Sequence, residues 1–129
     1  MAAAARRVPY EFVLDELSRL EPVTRLFFGA HGVYLGERLV FILRERGDDD
    51  DGVWVGTTKE HHESLRRELP SLRSIRLFGP GESAWQNLPA TAPTFEREAI
   101  RACELVLRGD SRIGRVPKPR RPRAKRPRR

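Results

Sequence analysis

Nine lysines and arginines fall between Arg115 and Arg129 with no acid among them, and Pro117, Pro119, Pro122 and Pro127 interrupt the run. The chemistry such a run offers is phosphate contact. Each cation that meets a phosphate releases condensed counterions, so affinity falls steeply with salt. The candidate nucleic-acid-binding residues are Lys118, Arg120, Arg121, Arg123, Lys125, Arg126, Arg128 and Arg129. If all of them engaged, log K would fall against log salt with a slope of about −7. Prolines at this density, with no apolar stripe, rule out a helix and a core, so the segment reads as a disordered, polyproline-like arm. Residues 116–129 would reach roughly 40 Å when fully extended.

Other reactive side chains lack the spacing their chemistry needs. His61 and His62 are adjacent and would point about 100° apart on a helix, whereas a two-ligand helical site uses i,i+4. Glu60-His61-His62-Glu63 is therefore no zinc-protease motif, His31 has no partner at ligand spacing, and solvated histidines are expected. With Gly52 at the sixth position of a calcium loop, Gly47 and Thr58 would occupy the first and last ligand positions, where neither works. Asp48 to Asp51 thus read as a solvated turn, with a dock for the basic arm as second reading. Cys103 sits on an apolar helix face and reads as core. Trp54, Trp85, Tyr34 and Phe78 could form a base-stacking sheet face, but without a ribonucleoprotein consensus the core reading is favoured. Arg108-Gly109-Asp110 is treated as a coincidental tripeptide at a helix end. With no nucleophile–base pair, metal set or nucleotide loop, the expectation is a non-enzymatic protein with no cofactor and no metal.

Charge is segregated along the chain. The 129 residues carry a net +7, yet residues 1–114 hold 16 basic against 18 acidic side chains, so the body is about −2 and the positive charge is an appendage. Arginine outnumbers lysine 22 to 3, which a G+C-rich coding sequence would also produce, but such a bias does not gather cations at one terminus. One cysteine allows no internal disulfide, and no run approaches the roughly 18 apolar residues of a membrane span. These features suggest a cytoplasmic protein. The expected organisation is a flexible 1–8, one domain over 9–114 and the basic tail 115–129.

The elements that must carry these residues follow from periodicity. Val13, Leu14, Leu17 and Leu20 recur at helical spacing between Pro9 and Leu20, and Pro22 ends that helix. Thr24 to Phe28, Val33 to Leu35 and Leu39 to Arg44 read as three strands joined by tight turns, and Val53 to Val55 resumes the sheet after the acidic loop, before the next helix. Thr57 and Glu60 have capping-box spacing for a short helix ending at Pro70. Ser74 to Phe78 and Ala84 to Leu88 read as a hairpin around Gly79-Pro80-Gly81-Glu82. Thr94 to Arg108 gathers Phe95, Ala99, Ala102, Cys103 and Val106 on one face, with acids in its first turn and Gly109 after its end. The expected fold class is α+β, α-β(3)-α-β(2)-α, with helices packed on an antiparallel sheet.

The stretch from Thr24 to Tyr34 resembles the R-x-M-F-G-G-x-G-x-Y signature of the TfoX N-terminal domain family through Arg25, Phe28, Gly29, Gly32 and Tyr34. It departs from it at Phe27 and Ala30-His31, and the acidic loop is longer than the family pattern. Ala84-Trp85-Gln86 before a final helix is similar to MmcQ/YjbR-like domains. The resemblance covers roughly residues 9–107 and implies a secretion-chaperone-like architecture and a link to competence, transcriptional regulation or DNA binding. It brings no catalytic residue. Gly29 and Gly32 read as turn glycines rather than a phosphate cradle, since no P-loop lysine follows. Lys118 to Arg123 resembles the Pro-Arg-Gly-Arg-Pro core of AT-hook arms without its glycine, so phosphate contact is the expected mode rather than deep minor-groove insertion. The expected partner is nucleic acid, DNA first and RNA second. The alternative is a protein-interaction module, pairing with a partner or in a homodimer, with a solubilising tail; no membrane is expected.

Overall fold

The computed structural model describes residues 7–116. The eight candidate phosphate-contact residues, Lys118 to Arg129, and most of the N-terminal segment lie outside the described residues.

Six strands form one antiparallel sheet in the order β1-β2-β3-β4-β6-β5: β1 Val23–Phe27, β2 Ala30–Leu35, β3 Arg38–Arg44, β4 Gly52–Val55, β5 Arg73–Ser74 and β6 Gln86–Pro89. Three helices, α1 Glu11–Glu16, α2 His62–Glu68 and α3 Phe95–Leu107, join it, so the α+β class is observed. One sheet face packs Val33, Phe41, Leu43, Val53, Val55 and Leu88 against Val13, Leu17, Leu65, Leu69, Ala99, Ala102, Cys103 and Val106, the main core. Alternation of side chains sends Ala30, Leu39, Ile42 and Trp54 to the opposite face, where a smaller cluster gathers Ile75, Phe27, Tyr34 and Trp85. β3 is apolar and buried on both faces because it carries the centre of both clusters.

The element order differs from expectation in the strand count. Four strands, not three, precede α2, because the segment after the acidic loop pairs with β3 over Phe41↔Val55 to Arg44↔Gly52 as a strand of its own. The second hairpin is truncated. β5 ends at Ser74 because the Arg76 amide donates to the Asp50 carboxylate at 3.0 Å instead of to a neighbouring strand, while Ile75 turns into the smaller cluster. Leu77 and Phe78 therefore leave the sheet.

The helices follow their apolar spacing with shortened ends. Only Val13 and Leu17 of the α1 stripe are buried, and the chain tightens into a 3-10 turn at Ser18–Leu20 before Pro22. Thr57 makes no cap hydrogen bond; a 3-10 turn, Lys59–His61, precedes α2, so the capping-box expectation fails although Leu65 and Leu69 are buried as expected. α3 matches its expected span and ends in a Schellman motif: Gly109, at φ 79, donates to Val106 and Asp110 donates to Leu105. Cys103 is buried among α3 neighbours and its thiol is pushed up to about 12 by desolvation, which makes it a core residue.

After α3 the chain returns to the sheet. Ile113 is buried, the Gly114 amide donates to the Gly56 carbonyl, and Arg115 exchanges two backbone hydrogen bonds with Leu39, at 2.8 and 2.9 Å. The hydrogen-bonded body thus extends one residue past the expected boundary at Gly114. Arg112 fixes this return by pairing with Asp110 and Glu68 at 2.6 and 2.7 Å.

Candidate nucleic-acid interface

The five motif residues share one hairpin, and its register explains their types. Val23↔Tyr34, Arg25↔Gly32 and Phe27↔Ala30 are cross-strand pairs, so all six face the side of the sheet that carries no helix. Gly32 is not a turn residue, as expected from sequence, but a strand residue. A side chain there would press on Tyr34 and Leu39 at 3.1 Å each, and its absence lets the Arg25 guanidinium lie over the Tyr34 ring at 5.0 Å. Gly29 is a turn residue: Phe28 and Gly29 are the two central residues of the β1–β2 turn, with φ 47 and 79, as a two-residue type I′ hairpin requires. A Cβ on Gly29 would also run into the Arg46 guanidinium.

Phe28 is the anomaly. A phenylalanine in the left-handed region is strained, and its ring is 85% exposed, so no burial offsets that strain. Its ring meets Phe27 edge-on at 5.0 Å, Phe27 lies 6.4 Å from Trp85, and Trp85 lies 5.9 Å from Trp54, a connected row of aromatic rings across the sheet. Leu77 and Phe78, 49% and 68% exposed, come up from the loop beyond β5. With Ala30, Ile42 and Arg44 these residues enclose a cavity of about 230 Å3. That is below the roughly 300–1,000 Å3 of sites for drug-sized ligands and suits one planar ring system.

The aromatic row divides the expectation made for it. Trp54 is core, with its indole N–H donating to the Asp50 carbonyl at 2.8 Å, whereas Trp85 is half-buried and Phe78 stands out into solvent. Two further guanidinium groups face the row: Arg115 lies 5.3 Å from the Trp85 ring centre and Arg44 lies 5.7 Å from that of Trp54. Arg44 is neutralised by Asp48, which holds two hydrogen bonds to it at 2.5 and 3.0 Å and is itself kept below its ordinary range by that contact. No ion pair among the described residues involves Arg25 or Arg115. The open face is thus aromatic with unneutralised cations at its margins.

Tertiary structure overturns the solvated reading of His62 and narrows that of the acidic loop, where Asp48 and Asp49 stay exposed. The acidic loop is a structural latch: Asp51 accepts from the Arg46 and Gly47 amides, both at 2.7 Å, and buried Asp50 accepts from the Arg76 amide. His62 is buried rather than solvated, at 4% exposure, with Nδ1 2.6 Å from the Glu82 carboxylate and Nε2 3.2 Å from the Ala84 carbonyl. Both partners are hydrogen-bond acceptors, so the ring is held between two oxygen atoms. Glu82 is held below its ordinary range first by that hydrogen bond and then by Arg66. The contact pins the Gly79–Glu82 loop to α2 and so positions Leu77 and Phe78. His61 stays near the surface. Among the described residues no group of three His, Cys, Asp or Glu side chains is placed to hold a metal, and no helix is long and apolar enough to cross a membrane.

Sequence reasoning missed Phe27, Phe28, Leu77 and Arg115 as members of one surface. A signal existed for Phe28, and the same signal marks Phe78. Phe28-Gly29 and Phe78-Gly79 each set an aromatic directly against turn chemistry, where a core ring would be misplaced.

The fold and this face define an α+β protein with a six-stranded antiparallel sheet, one side of which presents an aromatic, arginine-edged surface that no helix among the described residues covers. No protein family, curated protein or solved structure matches the chain.

Proposed function

We propose that this protein binds nucleic acid without strong sequence preference, the basic tail supplying the phosphate contacts and the folded body a fixed platform from which the tail departs. The observation that supports this most is the placement of the tail's root. Arg115 is tied by two backbone hydrogen bonds to β3 and lies over Trp85, so the run of cations begins at the aromatic face. A polyanion drawn to the tail is delivered to a surface that carries further cations and exposed rings rather than to the acidic remainder of the body. Kinship with the TfoX N-terminal domain family, a secretion-chaperone-like fold and a cytoplasmic location belong to the same proposal; the clustering of Arg25, Phe28, Gly29, Gly32 and Tyr34 on one hairpin supports the first two.

The test compares the full chain with a chain ending at Val116, which keeps the Arg115 bridge to Leu39, for binding of a fluorescent duplex across a salt series. The full chain is expected to show a log–log slope of about −7, for eight cations, and the shortened chain a much weaker complex. Equal binding by both chains, or a strong preference among unrelated duplexes, would refute the phosphate account. A second reading, a protein-interaction module, is favoured by β1, a sheet edge whose Val23 and Leu26 are exposed and whose outer backbone groups face no strand among the described residues. A complex formed by the shortened chain and insensitive to salt would select it.

A further inference from the structure

We infer that the open sheet face seats single-stranded nucleic acid, with one unstacked base entering the recess between Phe28, Phe78 and Trp85. This rests on the nucleic-acid reading above and adds what the tail cannot supply, a preference for single strands over duplex.

Three observations converge on an unstacked base. First, the recess has the size of one planar ring system and is walled by rings and aliphatic groups, with Arg44 as its one charged wall residue. Every base has a π-face that stacks on such walls, and bases held in a duplex cannot leave their own stack to reach them. Second, the rings at its mouth are held where apolar burial cannot account for them. Phe28 is strained at φ 47 and 85% exposed, and Phe78 is carried outward by a loop that the Glu82 contact to His62 and Arg66 anchors. Strain kept at an exposed aromatic marks a site more often than a defect. Third, charge is complementary along the path a strand would take. Arg25 and Arg115 lie over Tyr34 and Trp85, at 5.0 and 5.3 Å from the ring centres, Trp85 being a wall of the recess, and the tail's remaining eight cations follow Val116 in the sequence. A guanidinium plane stacked on a ring extends the stacking surface while it neutralises the adjacent phosphate. The lining presents no set of donors and acceptors that would distinguish one base edge from another, so the seat is tolerant of sequence.

The test uses the full chain, a single-stranded deoxythymidine oligomer carrying one 2-aminopurine, and a duplex of the same length. The wild-type protein is expected to bind the single strand more tightly than the duplex at equal salt and to change the 2-aminopurine fluorescence. Phe28→Asn and Phe78→Ala, both at exposed positions, are expected each to lower single-strand affinity about tenfold, the scale of one base stacked on an aromatic. Duplex affinity and the salt slope should stay at wild-type values because the tail supplies them, and a cooperative urea transition followed by tryptophan fluorescence controls for folding of each variant. Equal affinity for strand and duplex with no effect of either variant would overturn the base seat while leaving the tail account standing. Absence of binding of either species by the wild-type chain would overturn both. If the two variants change only the sedimentation-measured oligomeric state, a second copy covers the face and the base seat is refuted.

Discussion

Replacing Phe28 by asparagine should make the protein more stable, although it removes a large apolar side chain. Phe28 occupies the first central position of a type I′ turn at φ 47, and a left-handed conformation costs an ordinary L-residue roughly 1–2 kcal/mol. Asparagine followed by glycine is the pair that such turns favour, so Phe28→Asn before Gly29 relieves much of that cost. Against this stands the edge-on contact with Phe27 at 5.0 Å, worth about 0.5–1.5 kcal/mol for a well-packed pair. With the ring 85% exposed, the lower end of that range applies and little apolar burial is lost. The balance is a gain of about 0.5–1 kcal/mol, a rise in Tm of a few degrees for a domain of this size. Urea denaturation followed by tryptophan fluorescence gives the free energy directly, and an unchanged m-value would show that the unfolded reference is the same. A loss of 1 kcal/mol or more would refute the reasoning, because it would mean that the ring is packed in solution and that its positive φ is compensated by burial. The combination of higher stability with weaker single-strand binding is the signature of a strained functional residue.

Two further outcomes follow from buried polar contacts. Glu98 is buried at the start of α3 and accepts from the Ser71 amide and hydroxyl, both at 2.9 Å, and from Thr94; Glu98→Ala orphans these donors and should cost about 1–3 kcal/mol, read as a lower urea midpoint. Acid should unlatch the C-terminal return: the Asp110 carboxyl is pulled from 3.8 down to about 2, chiefly by its hydrogen bond from Arg112, and Glu68 is lowered by Arg112 and Arg101. Because both folded-state values lie below the unfolded ones, their stabilisation is complete above about pH 4.5 and is lost as pH falls toward 2. Tm should therefore drop across that window, and Asp110→Asn should flatten the drop; an unchanged acid limb in the variant would show that the pair contributes nothing.

The helices were legible to the extent that their apolar spacing was long. α3 carries four turns of it together with first-turn acids and a terminal glycine, and both its ends are where the sequence places them. α1 has only Val13 and Leu17 to bury, so its expected last turn, around Leu20, found no core and tightened into a 3-10 turn. The second hairpin misled because Ser74 to Phe78 has strand composition, yet Asp50, distant in sequence, captures the Arg76 amide and diverts the chain. Composition cannot register a competitor of that kind. The histidine pair illustrates the same limit: adjacency excluded a shared metal, but which of the two is buried depended on Glu82 and Ala84 arriving from another loop.

The sequence alone determined the charge segregation, the α+β class and the tight turns, since each is set by local composition or by a periodicity that a few consecutive residues express. Tertiary structure alone decided that Phe27, Phe28, Leu77, Phe78, Trp85 and Arg115 share one surface, that the acidic loop is a latch, and that Arg115, the first cation of the basic run, sits at the aromatic face. The physical reason is that sheet register and chain return juxtapose residues far apart in sequence. A side chain's exposure is fixed by what the rest of the fold leaves uncovered, and no local pattern around Leu77 or Arg115 encodes that.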